Sequence, residues 1–280
     1  MMNKLDSCYC ELGESPVWNP IRALYHWVDI NQHKIYSIDE QLEHLDVIDM
    51  PDKVGCIVVN EEGNLLAALS REIVKVLIDN KKIVSLHKPE ISGNEMFNDG
   101  KVDAKGRFWV ASKDIKETDA SGKLYCYDGT HLLSHDEGFV VGNGIGWSLN
   151  NEWMYFTDSM RQIIYRYRFN LEKGQIKSRQ VFAKVNRGYP DGLTVDARDH
   201  VWSANWDGQC LTHYDLEGQI IEFIELDNTR PTSCCFGGAK LNQLFITSAY
   251  VGLENPKAKD GLSQVIESLS IGNNPFLAKA

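Results

Sequence analysis

The sequence predicts an all-β fold, a six-bladed β-propeller with four-stranded antiparallel blades, because one kind of strand recurs six times at a nearly constant spacing. Each copy is short and aromatic or aliphatic, and the last residues of successive copies are 40, 43, 46, 47 and 43 positions apart. A repeat of this length built from short strands is typical of a propeller blade. Because the repeat spans nearly the whole chain, we expect one domain over residues 1–280. The six strands are Trp27–Asp29, Leu66–Leu69, Trp109–Ser112, Phe156–Asp158, Trp202–Asn205 and Phe245–Ser248.

The segments around each marked strand predict the rest of a blade. An inner strand should precede the marked strand, and a polar turn should join the two. Polar segments of four or five residues suit hairpin loops. Outer strands should follow, such as Lys123–Tyr127 and Ile163–Arg168, the second of which alternates in polarity. The predicted turns are residues 60–64, 103–107, 149–152 and 196–199.

The two ends of the chain should close the ring. Residues Ser7 to Leu12 could pair with the last blade, as a closing strand. After Asp260, only Pro275–Ala278 is a candidate for a further strand. The sequence therefore leaves open whether the sixth blade has all four strands.

One residue in each repeat lies 14 or 15 positions before the end of the marked strand, in a predicted loop near the axis. Four of these six residues carry oxygen donors, two as carboxylates and two as amides, which is the ligand set that Ca²⁺ prefers. Residues 98–100 and 190–192 each resemble an ordinary turn. Recurrence of oxygen donors in one register nevertheless favours a shared cation site. The six residues are Glu14, Gly55, Asn98, Asn143, Asp191 and Cys234.

Composition limits the partners and the compartment. The net charge of −10 and the isoelectric point near 5.3 argue against nucleic acid or an anionic membrane as the main partner. No apolar run is long enough to cross a bilayer. Seven irregularly spaced cysteines favour free thiols in a reducing compartment. We therefore expect a cytoplasmic protein, as a monomer or a weak homo-oligomer.

The chain contains five further motifs, in order Leu12–Trp18, Phe97–Asp103, Gly142–Ser148, Tyr189–Leu193 and Thr232–Gly238. They resemble the SMP-30/gluconolactonase/luciferin-regenerating (regucalcin-like) family, and they occur in the order typical of that family. The resemblance implies one divalent cation in the central channel, with Glu14, Asn143 and Asp191 as its ligands. Ca²⁺ is the first expectation, with Zn²⁺, Mn²⁺ and Mg²⁺ as alternatives. Asn98 should face the substrate or contact the metal through water.

Two departures from the family pattern concern substrate binding. Family members that hydrolyse sugar lactones usually carry an arginine that binds substrate hydroxyls where this chain has Met96, which cannot donate a hydrogen bond. An acidic residue after the third marked strand has two candidate counterparts, Asp114 and Glu117. We expect Asn98, Met96 and Asp114 to contact the substrate, and a ligand less polar than gluconolactone is plausible.

The resulting functional hypothesis is a metal-dependent hydrolase that opens a sugar-type lactone ring, with a small-molecule lactone as its partner. The cation would polarise the carbonyl group and stabilise the oxyanion. Asp191 is the candidate general base as well as a ligand. One alternative is a phosphotriester or organophosphate hydrolase that uses the same site. Another is a non-catalytic calcium-binding propeller, and Met96 adds weight to this alternative.

Overall fold

The computed structural model describes residues 4–280, which form six antiparallel sheets arranged in a ring. Five sheets have four strands and the sixth has three, which confirms the predicted six-bladed β-propeller. The helical segments within residues 4–280 are two short 3₁₀ turns, Lys4–Ser7 and Ile78–Asn80. Neither turn approaches the length or the apolar character of a membrane-spanning helix.

The strands run in chain order from the inside to the outside of each blade. The first three blades contain β1 (Gly13–Asn19), β2 (Leu24–Asp29), β3 (Lys34–Asp39) and β4 (Leu45–Asp49); β5 (Val54–Val59), β6 (Leu65–Leu69), β7 (Ile73–Leu77) and β8 (Lys82–His87); β9 (Glu95–Val102), β10 (Phe108–Asp114), β11 (Gly122–Tyr127) and β12 (Leu132–Phe139). The other three contain β13 (Gly142–Trp147), β14 (Trp153–Asp158), β15 (Ile163–Asn170) and β16 (Gln175–Lys184); β17 (Tyr189–Val195), β18 (Val201–Trp206), β19 (Cys210–Tyr214) and β20 (Ile220–Glu225); β21 (Arg230–Gly237), β22 (Gln243–Ala249) and β23 (Gln264–Glu267).

The six marked strands are the second strands of the six blades, as the repeat predicts. Their aromatic side chains are buried between neighbouring blades, where burial of large rings contributes most to packing. Three such contacts have ring centroids 5.2, 6.3 and 5.8 Å apart, and the first of them joins the first blade to the last. These pairs are Trp27–Phe245, Trp109–Trp147 and Trp202–Phe236.

The predicted polar turns join the first and second strands of their blades, and a buried polar residue caps each turn. In the third blade, Asp103 accepts hydrogen bonds from the backbone amides of Lys105 and Arg107 and from the indole of Trp109. Asp196 repeats this arrangement in the fifth blade. The carboxylate thus pairs the backbone amides of its own turn.

The predicted axis residues lie within the innermost strands and not in loops, which corrects both the loop assignment and the turn alternative. Each innermost strand contains one break in register against its neighbour near its start. A β-bulge re-aims side chains while the strand continues, and this explains why residues 98–100 and 190–192 resemble turns. The residues left without a paired partner are 15–16, Gly55, Asn98, Gly144, 191–192 and Thr232.

Both chain ends pair with the blades, in part differently from the prediction. The N-terminal segment closes the ring through bridges from Tyr9 to Leu262 and from Leu12 to Ala249. The third strand of the sixth blade is β23, which the sequence did not reveal. The prediction of Pro275–Ala278 as a further strand is wrong, because Ala278 forms a single bridge to Asn60 of the second blade.

A buried histidine in the first blade gives the fold a dependence on pH. His26 is fully buried, with its Nε2 atom 3.2 Å from the amide nitrogen of Asn19 and its Nδ1 atom 2.7 Å from the hydroxyl of Ser37. The Asn19 amide can only donate, so the neutral ring accepts at Nε2 and donates from Nδ1. Burial lowers the pKa of His26 to about 3.

We therefore expect His26 to reduce stability as the pH falls below its unfolded-state pKa of about 6.5. Between that pH and about 3, only the unfolded chain takes up the proton, so the free energy of unfolding falls by about 1.4 kcal/mol per pH unit. Relative to wild type, His26→Gln should have a lower free energy of unfolding at pH 7. Urea unfolding from pH 7 to 4.5 should show this difference shrinking at that rate as the pH falls. A constant difference for His26→Gln would contradict the assignment.

Candidate functional site

One cavity of about 590 Å³ opens where the innermost strands begin, and it gathers the predicted site residues. Glu14, Asn98, Asn143 and Asp191 come from four different blades, and all line this cavity together with Met96. Each of the five is at most 8% exposed. A volume of this size is typical of small-molecule sites.

Hydrogen bonds orient both amide side chains of the site so that their oxygens remain available. Asn98 donates from Nδ2 to the carbonyl oxygen of Gly142 at 3.1 Å. Asn143 donates from Nδ2 to the hydroxyl of Ser159 at 3.3 Å, and its oxygen accepts only a long 3.3 Å bond from the Gly144 amide. Amide oxygens, unlike amide nitrogens, are ligands for hard cations.

Three buried carboxylates crowd the same region without enough positive charge to balance them. Burial, followed by the neighbouring Asp191 and Asp99 carboxylates, raises the pKa of Glu14 well above its ordinary range. Burial and then Asp99 raise the pKa of Asp191 in the same way. The Oδ1 atom of Asp191 is buried and has no hydrogen-bond partner. A buried oxygen without a partner is costly, and a divalent cation is the ligand that this donor set fits.

Backbone features at the bulges bring these donors together. Ser15, next to Glu14, has a φ of 49°, a left-handed conformation that is uncommon outside glycine. Its hydroxyl accepts a hydrogen bond from the amide of Ile57 in the second blade at 2.9 Å. At Gly144, a Cβ atom would lie 2.5 Å from the carbonyl oxygen of Asp191, so only glycine lets the fourth and fifth blades approach here.

The axis positions of the second and sixth blades contribute no oxygen donor to the cavity. Gly55 lies where a Cβ atom would meet the Phe97 carbonyl oxygen at 2.6 Å, so a side chain cannot fit. The prediction for Cys234 is wrong, since the bulge of the sixth blade places Thr232 in that position. Cys234 is buried instead in the apolar cluster around Trp202.

The structure places the neighbour of Asp114 on β10, and not Asp114 itself, at the cavity. Lys113 and Glu117 line the cavity and form an ion pair with an Nζ to Oε1 distance of 2.7 Å. Asp114, expected to contact substrate, does not line the cavity, because its carboxylate accepts hydrogen bonds from the amides of Thr118 and Asp119. Glu117, the other candidate, takes the expected place. Sequence reasoning missed Lys113, whose only signal was its position one residue before Asp114.

The mouth of the cavity is partly apolar. Ile115, Met160 and Tyr189 line it and are 47%, 46% and 38% exposed. Large exposed apolar side chains around a polar centre are typical of a ligand-binding cleft. The mouth can therefore contact the less polar part of a ligand whose reacting group lies against the oxygen donors.

A second polar cluster on the fifth blade combines Asp196, His200 and His213, whose potential ligand atoms lie within 4.8 Å of one another. The two imidazoles are joined by a hydrogen bond of 3.1 Å, and Asp196 already accepts from the Trp202 indole. In the third blade, Asp103 likewise accepts hydrogen bonds from a basic side chain, Arg107, and from the Trp109 indole. We therefore assign this cluster to packing of the repeat.

Known proteins resemble this chain along most of its length. The family model of the SMP-30/Gluconolactonase/LRE-like region matches residues 12–250. The chain is 31% identical over 244 residues to the pentonolactonase of Haloferax volcanii, covering 86% of this chain and 82% of that protein. It is 32% identical over 243 residues to the 6-deoxy-6-sulfogluconolactonase of Pseudomonas putida, with coverage of 85% and 83%. The crystal structure of the calcium-binding protein regucalcin from Agrobacterium tumefaciens superposes with a TM-score of 0.93 at 21% identity, covering 99% and 96% of the two chains.

Replacing the Asp191 carboxylate should separate cation binding from folding. In chelator-treated protein, we expect Asp191→Asn to be at least as stable as wild type, since an uncharged amide replaces a crowded buried carboxylate. Millimolar Ca²⁺ should raise the melting temperature of wild type through preferential binding to the folded state, and it should not raise that of the variant.

The matched control is Asp196→Asn, which removes a buried carboxylate that is fully hydrogen-bonded. We expect it to lose roughly 1–3 kcal/mol with or without Ca²⁺ and to keep the Ca²⁺-induced shift. Differential scanning fluorimetry measures both quantities. The same Ca²⁺-induced shift in Asp191→Asn as in wild type would contradict the site.

Proposed function

We propose that this chain, which belongs to the SMP-30/gluconolactonase/LRE-like family, is a metal-dependent hydrolase that opens sugar-type lactones in the cavity of the central channel. The observation that carries the proposal is the meeting of Glu14, Asn143 and Asp191 in one buried cavity, with an unpartnered oxygen on Asp191. Two curated relatives at 31% and 32% identity are named as lactonases of sugar acids.

Glu14, Asn143 and Asp191 would hold one divalent cation, with Ca²⁺ as the first candidate because every donor is an oxygen atom. When bound, such a cation supplies Lewis-acid polarisation of a carbonyl group and stabilises negative charge on its oxygen. The regucalcin structure is titled a calcium-binding protein, which supports this choice. Zn²⁺, Mn²⁺ and Mg²⁺ remain alternatives for the native ion.

The protein groups bind the substrate and move one proton. Asn98, with its amide nitrogen fixed on Gly142, presents its oxygen to a substrate hydroxyl or to the attacking water. The water oxygen bonds to the lactone carbonyl carbon, and the ring C–O bond breaks. Asp191 is the candidate base that takes the proton of the water and returns it to the ring oxygen that leaves. Burial and the Asp99 carboxylate raise the pKa of Asp191 in the cation-free site, and a bound cation would oppose that shift.

The cavity also limits access of bulk water to the reacting groups. Glu14, Asn143 and Asp191 are 7%, 5% and 5% exposed, so charges there act in a medium of low polarity. Fixed dipoles and charges in such a site stabilise a transition state more than they would in water. A rigid ring of innermost strands holds them in position before the substrate arrives.

A matrix of metals and substrates tests the proposal. Chelator-stripped protein should open D-glucono-1,5-lactone only after Ca²⁺, Zn²⁺, Mn²⁺ or Mg²⁺ is restored, and Asp191→Ala should lose hydrolysis while keeping its fold. Proton release measured with a pH indicator follows the reaction, and circular dichroism checks the fold. Control reactions without enzyme subtract spontaneous ring opening.

The same matrix includes phosphotriesters and distinguishes the other two functions. Turnover of phosphotriesters in preference to lactones would favour organophosphate hydrolysis. Cation binding without turnover of any ester would favour a calcium-binding propeller. Metal-independent turnover, or wild-type activity in Asp191→Ala, would refute the proposed mechanism.

A further inference from the structure

Lys113 occupies a position in the cavity that neither the proton transfer nor the cation site explains. It lies on β10, directly opposite Met96 of β9 in the register of the third blade. Both residues line the cavity, and the Lys113 side chain is 15% exposed. Met96 cannot donate a hydrogen bond, and its cross-strand neighbour Lys113 has three donors.

The Lys113 ammonium lies close to the reacting end of the cavity. Its positive charge acts on Glu14 and on Asp191 and lowers the pKa of each carboxylate, although burial outweighs this effect. Its Nζ atom is 2.7 Å from Oε1 of Glu117, which also lines the cavity. The Lys113 donor and the Glu117 acceptor therefore lie side by side, and the Lys113 charge acts on the Glu14 and Asp191 carboxylates.

The loop that carries Glu117 is held in place by bonds outside the cavity. Asp114 accepts hydrogen bonds from the amides of Thr118 and Asp119, at 3.0 and 3.3 Å. Glu117 itself has a φ of 56°, in the left-handed region that is uncommon for residues other than glycine. Strained backbone of this kind persists only when neighbouring bonds fix it, and it is often found at ligand sites.

We propose that Lys113 is a substrate-binding residue that selects hydroxylated lactones, with its ammonium donating to a ring hydroxyl whose proton is directed to Glu117. A hydroxyl group both accepts and donates, so it can contact both members of this ion pair at once from one side. The proposal rests on the proposed lactonase function and deepens it. It also replaces the expectation, drawn from Met96, of a ligand less polar than gluconolactone.

The ammonium is a compact charge on a flexible stem, so one hydroxyl at a time is its natural partner. A donor at Met96 would reach the same cavity from the neighbouring strand. Exchanging the two side chains therefore tests the position of the donor without changing the composition of the cavity.

The experiment compares KM and kcat for D-glucono-1,5-lactone and for unsubstituted δ-valerolactone. Lys113→Met should raise KM for the hydroxylated substrate about 10- to 100-fold, as expected for loss of a hydrogen bond to a charged group. KM for δ-valerolactone should change less than about 2-fold, since this substrate offers no hydroxyl. Lys113→Arg and the exchange Met96→Lys with Lys113→Met should each recover at least about half of the lost selectivity, since each restores a cationic donor in the cavity.

Three results would overturn the inference. They are an equal rise in KM for both substrates, an unchanged KM for the hydroxylated one, and failure of both restoring variants. The first would mean that Lys113 serves only as a counter-charge for the carboxylates. A wild-type enzyme that opens neither lactone would instead refute the proposed function. Thermal unfolding of each variant confirms that the fold is retained.

Discussion

The crowding of buried carboxylates at the propeller axis is the constraint on which the site depends. Glu14, Asp99 and Asp191 are buried and repel one another, and the Lys113 and Lys101 ammonium groups offset only part of this repulsion. Buried charges of one sign cost several kcal/mol unless they are neutralised or paired. The rest of the ring must hold these groups together, because the carboxylates alone would move apart. A divalent cation bound among these groups would relieve the repulsion, which is why we propose a cation site here.

The repeated blades form the scaffold, and the β-bulges of their innermost strands aim the site residues at the channel. Aromatic and aliphatic contacts between blades hold the six sheets together, while one bulge per innermost strand turns individual side chains toward the channel. Gly144 lets two blades approach closely, and Ser15 locks the first bulge onto the second blade. Donors from distant parts of the chain thus meet on strands. This placement on strands favours a preformed geometry over one induced by the ligand.

The sequence predicted the fold and most of the candidate site for one reason. In a repeat protein, residues at the same place in each repeat occupy equivalent positions in each blade. The sequence placed the marked strands and gathered Glu14, Asn98, Asn143 and Asp191, because five blades share one register. Where a blade departs from that register, counting residues no longer identifies the equivalent position. The sixth blade has its bulge at Thr232, two residues before Cys234, so counting back from the marked strand selected the wrong residue. Adjacent residues on a strand face opposite sides. Asp114 was expected in the cavity, but the structure has its neighbour Lys113 there. The C-terminal segment carries no repeat, and its bridge to the second blade depends on contacts that no local pattern encodes.

Anomalous diffraction from a crystal soaked in Mn²⁺, with Ca²⁺ competition, tests the central claim most directly, because it locates the ion without assuming an activity. We predict one peak per chain in the channel, with Glu14, Asn143 and Asp191 oxygens within about 2.6 Å, and loss of that peak when Ca²⁺ is added in excess. A channel without a peak, or a sole peak at Asp196, His200 and His213, would contradict the account.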